Sequence, residues 1–315
     1  MSGQSAGLVE GRPFRAVLPA LASDGRPPAP PPSPVRPLER CYAPRPDVSE
    51  FTLFPSKENS IFRSCQVVTY YGYPGVPGLG VLGEFDSDAE LVADLQALAR
   101  VYDDANGFRQ VAAGFHIIAA VAQANATPDG SYLARIPSSV IEHYIALAEA
   151  NDFIVFLDVQ MGHSTVDAEI EPLLPYLRNP RVHLALDPEW ATPPGVPPGA
   201  IIGGMDAGAI NRAQQILQAV AEEAGLPSKI LMVHQFTNEM IRQRESLADY
   251  PAVDLLIVMD GFGGRQIKVN HYLAYAADGV AEHGGMKLFI DEDSDIFSPA
   301  DASRIAPQPD YITYQ

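Results

Sequence analysis

Long hydrophobic runs, basic clusters and cysteines are all scarce in this chain of 315 residues. No run reaches the ~18–20 apolar residues that a membrane-spanning helix needs, so we expect no membrane span. Acidic side chains outnumber basic ones by 39 to 21, which gives a formal charge of −18, and no basic stripe interrupts that excess. Because a field of this sign repels polyanions, we do not expect nucleic acid as a partner.

The sequence also lacks the short motifs of several enzyme classes. It contains no Gly-x-Ser-x-Gly elbow of a serine hydrolase, and no His-x-His, His-Glu-x-x-His or Cys-x-x-Cys spacing of a metal site. Residues 72–78 form a turn rich in glycine and proline, which predicts a rigid loop rather than a phosphate cradle. We therefore predict that the protein has no cofactor and no bound metal.

The chain has two cysteines, Cys41 and Cys65, on either side of the segment that leads into the first predicted strand. They either form a disulfide that ties this segment down, as in an exported protein, or remain two unpaired thiols. An acidic chain with few cysteines and a proline-rich leader favours an extracellular or cell-surface location, and the cytoplasm stays open as the alternative.

Proline dominates one segment near the amino terminus. Residues 26–36 read RPPAPPPSPVR, which is typical of a polyproline-II linker and has no means of packing a core. Hydrophobic residues nevertheless make up 47% of the whole chain, enough for a sizeable core elsewhere. We therefore predict a proline-rich leader or tether over residues 1–45 and a single folded domain over residues 46–315.

From residue 67 onward, short apolar runs alternate with amphipathic stretches, a pattern typical of βαβ units and a parallel sheet. The apolar runs are nearly continuous, as expected of strands that are covered on both faces. The predicted strands span residues 67–72, 113–123, 153–160, 182–189, 230–236, 253–262, 286–293 and 311–315.

Several predicted helices have recognisable first residues. Ser87 with Glu90, and Ser139 with Glu142, fit the capping box in which a serine caps the helix and a glutamate follows three residues later. Ser298 precedes a proline that fits the first helical position. Eight strands and about seven helices match a (β/α)8 TIM barrel. The rival, a doubly wound open sheet, normally has a glycine-rich turn after its first strand.

In a TIM barrel the active site lies at the carboxyl ends of the strands. Nearly every predicted strand of this chain carries polar or ionisable side chains there. Crowded carboxylates raise one another's pKa and are typical of acid–base chemistry or of a cation site. We predict that the following residues bind substrate: Tyr70, Tyr71, Asp158, Gln160, Asp187, Trp190, His234, Gln235 and Asp260.

The sharpest motif is the run from Asp187 to Trp190, which reads DPEW. Glycoside cleavage needs two carboxyl groups, one to protonate the leaving oxygen and one to attack or to activate water. Glu189, beside an aromatic ring that can stack on a sugar, is the candidate proton donor. The second carboxylate is predicted on the seventh strand, at Asp291 or Asp293.

Other interpretations remain beside this one. Glu189 and Trp190 can simply anchor the proline-rich loop that follows them. Asp158, Asp187, His234 and Asp260 can instead ligate a divalent metal in a metal-dependent hydrolase or isomerase. A third interpretation is a non-catalytic barrel that binds a glycan or another surface partner. Alternation along the second strand, counted back from Gln123, predicts that His116 faces the helices and has a structural role.

Five runs of the sequence together resemble a family of uncharacterised bacterial proteins, of the kind found in actinobacteria and often labelled hypothetical proteins or lipoproteins. The resemblance covers residues 67–315 and implies a barrel like that of glycoside hydrolases and export from the cell. It implies no catalytic residues. The runs are YYGYPG (70–75) with GVLGE (80–84), LDPEW (186–190), HQF (234–236), DGFG (260–263) and FIDED (289–293).

Overall fold

The structure is a computed structural model that describes residues 38–42, 57–107 and 109–315. Most of the predicted leader, residues 1–45, lies outside the described residues. Its boundary with the folded domain therefore stays a prediction. No helix in the described part of the chain is long and apolar enough to cross a membrane.

Within the described residues, eight parallel strands close into a barrel. Consecutive strands pair side by side, and the last strand pairs with the first in parallel, Val67 opposite Tyr311. This closure confirms the predicted TIM barrel and excludes an open sheet. The strands are β1 (Cys65–Gly72), β2 (Gln110–Ala122), β3 (Ile154–Val159), β4 (Val182–Leu186), β5 (Lys229–Gln235), β6 (Val253–Met259), β7 (His283–Leu288) and β8 (Tyr311–Tyr314).

Helices and short helical turns connect the strands. Leu133–Arg135 adds an antiparallel strand at the end of β2, and two short strands, Met205–Asp206 and Ile241–Arg242, pair outside the barrel. The α-helices are α1 (Asp88–Ala105), α2 (Ser138–Asn151), α3 (Val166–Ile170), α4 (Leu174–Leu177), α5 (Ala207–Ala224), α6 (Arg265–His271) and α7 (Pro299–Ala302).

The predicted helix caps are confirmed at two helices and wrong at a third. The Ser87 hydroxyl accepts a hydrogen bond from the Glu90 backbone N–H at the start of α1, and Ser298 caps α7 in the same way. Helix α2 instead begins at Ser138 after Pro137, with no side-chain cap. Ser139 already lies inside the first helical turn, so its hydroxyl has no place in a capping box.

The hydrophobic core has two parts. Leu91, Leu95, Leu98 and Tyr102 of α1 pack with the outer faces of the strands, as their spacing predicts. A second cluster fills the barrel itself, where inward side chains of the strands meet. Its members on the strands are Cys65, Val67, Ala112, Ile154, Phe156, Ala185, Ile230, Met232, Leu256, Val258 and Tyr311.

The amino-terminal end of the barrel is closed by a plug. A disulfide joins Cys41 to Cys65 and holds the 3-10 helix Leu38–Tyr42 against this end. Ile61 and Phe62 complete the plug inside the barrel cluster. Apolar side chains therefore close the interior of the barrel at its amino end.

Strand β2 contains a bulge, which changes the direction of its side chains. The register with β3 shifts between Ile118 and Ala120, so one extra residue interrupts the alternation. Counting back from Gln123 therefore gives the wrong face for His116. This side chain is fully buried inside the barrel, with Tyr311 and Phe156 beside it.

Candidate active site

Buried polar side chains from seven strands meet near the carboxyl end of the barrel. Most belong to the predicted set, and each is at most 7% exposed. Parallel strands end at the same rim, so residues far apart in sequence become neighbours. The seven are Tyr71, His116, Asp158, Asp187, His234, Asp260 and Lys287.

Two carboxylates and two imidazoles in this group form a chain of contacts across the barrel. Asp158 Oδ2 lies 3.5 Å from His116 Nε2 and 3.5 Å from His234 Nε2. On its other side, His234 Nδ1 lies 2.9 Å from Asp260 Oδ2. Asp260 Oδ2 also lies 2.9 Å from Lys287 Nζ. This ammonium stands 3.9 Å from the centre of the Tyr71 ring, an added cation–π contact.

The two histidines have opposite pKa shifts. Burial lowers the pKa of His116 to about 4, against the pull of Asp158. Burial and Lys287 also oppose a proton on His234, but Asp158 and Asp260 outweigh them and raise its pKa to about 10. At neutral pH and without a bound ion, the His116 imidazole is therefore uncharged, and the His234 imidazole is protonated on both nitrogens and carries a positive charge.

Asp187 organises the loop that follows β4. Its Oδ1 accepts a hydrogen bond of 3.1 Å from the Glu189 backbone N–H, and its Oδ2 accepts one of 2.8 Å from the Trp190 indole. Burial raises the pKa of Asp187 to about 7, against the effect of His234 and with that of Asp158. Asp187 therefore fixes the backbone of Glu189, the predicted proton donor, and the indole ring of Trp190, the next residue.

Glu189, the predicted proton donor, has a half-buried side chain. Its backbone is fixed from both sides, because its N–H is held by Asp187 and its carbonyl accepts a hydrogen bond of 2.6 Å from the Gly203 N–H. Burial raises the pKa of Glu189, and Asp260 raises it further, while Lys287 and His234 oppose them. Such a carboxyl group keeps its proton to a higher pH than an exposed glutamate does.

Neither candidate for the second carboxylate, Asp291 or Asp293, belongs to the group of seven buried residues. Asp293 pairs with Lys268 at 2.9 Å and accepts hydrogen bonds from the Gly263 and Phe289 backbone N–H groups. These contacts join the segment after β7 to the segment after β6. Asp291 is exposed to solvent. Asp260, in contrast, is the carboxylate whose charge acts on the Glu189 carboxyl group.

Of the three other predicted binding residues, Gln160 lies near the site, whereas Tyr70 and Gln235 contact the surrounding structure. Gln160 Oε1 accepts a hydrogen bond from the Ala122 N–H, and the Gln160 side chain opposes the rise that burial causes in the pKa of Tyr71. Tyr70 points the other way and donates to Asp94 on α1. Gln235 accepts from the Arg244 guanidinium and so supports the loop after β5.

Sequence reasoning missed Lys287 and misplaced His116. Lys287 lies between Met286 and Leu288 in a strand that reads as core, and it is 2% exposed. A lysine is rarely buried without an anionic partner, so its place inside an apolar strand was the available signal.

An open cleft of about 630 Å³ lies among the loops that follow β3 and β4. His163, Thr165 and Thr192 line one part of it, and Arg212 and Arg242 line another. The buried carboxylates do not line this cleft. It nevertheless includes Ala191 and Thr192, which follow the DPEW motif directly in the chain.

No protein-family model matches the chain, and no curated protein matches it in sequence. Among solved structures, one similar chain is a hyperthermophilic endo-beta-1,4-glucanase in complex with substrate, at 11% sequence identity. The match covers 78% of this chain and 87% of that chain, with a TM-score of 0.37. At this score the likeness carries no argument, and the barrel assignment rests on the strand pairing described above.

Proposed function

We propose that the protein is a glycosidase-like hydrolase that acts on a polysaccharide or cell-envelope glycan. Glu189 is the proton donor to the leaving oxygen, and Asp260 is the second carboxylate, which attacks the sugar or activates water. Asp260 replaces Asp291 and Asp293 in this role, because it is the carboxylate whose charge acts on the Glu189 carboxyl group.

The observation that carries the proposal is the different setting of these two carboxyl groups at one rim. Glu189 is half-buried and forms no salt bridge with any residue that the structure describes, whereas Asp260 is buried and held 2.9 Å from the Lys287 ammonium. The lysine keeps Asp260 ionised, and burial favours a proton on Glu189. One carboxylic acid beside one carboxylate is the combination that glycoside cleavage needs.

The neighbouring residues fit supporting roles in this mechanism. Asp187 fixes the Glu189 backbone and orients Trp190, whose ring is a stacking surface for a sugar. Gln160 and Tyr71 add hydrogen-bonding groups beside the carboxylates. Asp158 is completely buried, so we place it in support of His234 rather than in contact with substrate.

The disulfide supports a second part of the proposal, that the protein works outside the cytoplasm. Disulfides persist in oxidising compartments and are rare in the cytosol. The bond between Cys41 and Cys65 closes the amino end of the barrel, where reduction would loosen the plug. An extracellular or cell-surface enzyme would meet envelope glycans directly.

The first test is a survey of hydrolysis by the wild-type protein and by Glu189→Gln. The substrates are a panel of alkyl glycosides and cell-wall fragments with labelled ends, whose leaving groups need a proton. We expect the wild type to cleave at least one member, and the variant to lose about 10²–10⁴-fold of kcat/KM with its melting temperature nearly unchanged. Glutamine keeps the size of the side chain but cannot donate the proton.

The matched control is Glu292→Gln, which removes an exposed carboxylate that follows β7. We expect this variant to keep the wild-type rate. Full activity of Glu189→Gln would remove Glu189 from the mechanism. Binding of a glycan by the wild type without any turnover would instead support a non-catalytic barrel.

A further inference from the structure

Three donor side chains point at one another inside the barrel, below the proposed catalytic pair. His116, Asp158 and His234 come from three different strands, and all three are 0% exposed. One ligand atom from each lies within 4.8 Å of the other two. This cluster is separate from Glu189, which stands at the rim.

The facing atoms are close but form no hydrogen bonds with one another. Both imidazole Nε2 atoms lie 3.5 Å from Asp158 Oδ2, beyond the usual 2.7–3.2 Å of an N–H···O hydrogen bond. Among the described residues, neither Nε2 atom and neither Asp158 oxygen has a hydrogen-bond partner. Buried polar atoms without partners are costly, so several that converge on one point indicate that a ligand belongs there.

The spacing fits the coordination sphere of a small cation. Ligand atoms that each lie ~2.0–2.1 Å from a tetrahedral Zn²⁺ are roughly 3.3–3.4 Å apart. The two separations of 3.5 Å between an imidazole nitrogen and the shared carboxylate oxygen agree with that value. Two imidazoles and one carboxylate are also a donor set suited to first-row transition metals.

The second nitrogen of each imidazole has a polar neighbour, which forms a hydrogen bond at His116 and an ion-pair contact at His234. His116 Nδ1 lies 2.8 Å from the Tyr311 hydroxyl, and His234 Nδ1 lies 2.9 Å from Asp260 Oδ2. Histidines that bind metal usually have such a partner, which fixes the ring and directs the other nitrogen at the ion. The His116 ring therefore has the arrangement of a metal ligand, and the His234 ring has a carboxylate in the corresponding position.

The charge of the surroundings also favours a cation. Asp158, Asp187, Asp260 and Glu189 bring four carboxyl groups to one end of the barrel, and Lys287 pairs with one of them. A divalent ion between the histidines would offset two of these negative charges. It would also take the place of a proton on the imidazoles, since metal ligands must be deprotonated.

We propose that His116, Asp158 and His234 bind one divalent transition-metal ion, Zn²⁺, inside the barrel. The three residues supply His Nε2, Asp Oδ2 and His Nε2 as ligand atoms. Tyr311 and Asp260 orient the two imidazoles. The site lies beneath the proposed catalytic carboxylates and goes beyond the glycosidase proposal, which needs no metal.

The test uses the full chain and the metal ions alone. Protein purified without chelators is analysed by inductively coupled plasma mass spectrometry, then stripped with a chelator and titrated with Zn²⁺. We expect one Zn²⁺ per chain, and a rise of several degrees in the melting temperature when Zn²⁺ is restored. When Co²⁺ replaces Zn²⁺, the protein should show the visible absorption bands of a Co²⁺ ion with a low coordination number.

Variants assign the ion to these residues. Asp158→Asn and His234→Gln should abolish the bound Zn²⁺ and the Co²⁺ bands. Tyr311→Phe, which removes the hydroxyl behind His116, should weaken Zn²⁺ binding by about 10–100-fold. The control is His143→Gln, because His143 is an exposed histidine 2.9 Å from Asp88 and thus an adventitious surface site. This control should keep one Zn²⁺.

The wild type alone decides the matter if a ligand variant fails to fold. A wild-type chain that retains no metal, is not stabilised by Zn²⁺ and shows no Co²⁺ bands overturns the proposal. Equal Zn²⁺ binding by folded Asp158→Asn and by the wild type overturns it as well. All of these readouts are independent of glycoside turnover, so the metal site and the glycosidase proposal fail or stand separately.

Discussion

At the scale of single residues, the decisive feature is a lysine buried among acids. Lys287 is 2% exposed and lies 2.9 Å from Asp260. Its place inside an apolar strand was a signal of burial, but the sequence alone did not show which way the side chain points, because an inward lysine and an outward one look alike within a strand. The carboxylates were easier to predict, since Asp158, Asp187 and Asp260 stand where apolar runs end.

The pair of Lys287 and Asp260 gives a prediction about stability. Lys287→Met leaves a buried carboxylate with His234 as its remaining partner, so the unfolding free energy should fall by about 3–5 kcal/mol. The double variant Lys287→Met/Asp260→Asn should recover part of this loss, because the unpaired charge is gone. Urea unfolding of the three proteins measures both effects. An unchanged Lys287→Met variant would contradict the buried ion pair.

A histidine at the other end of the barrel gives a prediction about pH. Burial alone would lower the pKa of His283, but Asp254 and Asp310 outweigh it and raise the pKa to about 9. The nearest contact is 2.8 Å from His283 Nδ1 to Asp310 Oδ2, and Arg109 pairs with the other oxygen of Asp310. A raised pKa stabilises the fold fully below the unfolded value of about 6.5. This stability is lost as the pH rises through about 9.

The measurement compares the wild type with His283→Gln, so that other titrating groups cancel. The wild-type advantage in unfolding free energy should be greatest near pH 6 and should shrink by up to about 3 kcal/mol by pH 10. A difference that stays constant over this range would show that His283 carries no extra proton in the folded state.

At the scale of elements, the alternation of strands and helices was enough to predict the barrel. All eight predicted strands overlap observed ones, but the predicted carboxyl ends of all except the first run too far. Strand β7 stops at Leu288, and the chain then turns so that the Asp293 N–H meets the Phe289 carbonyl. Asp291 and Asp293 therefore left the strand that sequence reasoning gave them. Long-range contacts such as the pair of Lys268 and Asp293 set this turn, and local sequence does not show them.

The misplaced His116 has a related cause. A bulge inserts one residue into β2, and nothing in the apolar run around it marks the position. A one-residue shift moves every later side chain to the opposite face. One of the three proposed metal ligands, His116, therefore lay outside the reach of simple alternation, whereas Asp158 and His234 were already among the possible metal ligands in the sequence.

Two serines test the helix starts directly. Ser87→Ala removes the hydroxyl that caps α1 and should cost about 1 kcal/mol of unfolding free energy. Ser139→Ala is the matched control, because this exposed serine lies in the first turn of α2 and caps nothing. Its effect should stay within about 0.5 kcal/mol. Thermal or urea unfolding of the two variants gives the comparison, and equal losses would contradict the assignment of the caps.

At the scale of the whole molecule, the two ends of the barrel have different tasks. Apolar side chains, the 3-10 helices and the disulfide close the amino end beside the buried ion pairs of Asp310, and the carboxyl end contains the residues of the proposed site. The plug that stabilises the fold and the residues of the proposed site therefore lie at opposite ends of the barrel. A change at the plug should alter folding while leaving the arrangement of Glu189 and Asp260 intact.

The disulfide provides the corresponding prediction. Cys41 and Cys65 are 24 residues apart, and a crosslink over a loop of this length stabilises by about 3 kcal/mol in the chain-entropy model. The double variant Cys41→Ser/Cys65→Ser should lose about that amount in urea unfolding. Treatment of the wild type with a reductant should reproduce the loss, and the double variant should not respond to it. An equal response of both proteins would contradict the pairing.

The central claim, that Glu189 donates the proton, is tested most directly by changing the leaving group. A good leaving group such as 2,4-dinitrophenolate departs without a proton, whereas a sugar or alkyl group needs one. We therefore predict that Glu189→Gln keeps near-wild-type bond cleavage on a 2,4-dinitrophenyl glycoside and loses about 10²–10⁴-fold on an alkyl glycoside of the same sugar. Equal losses on both substrates, or none on either, would contradict the role assigned to Glu189.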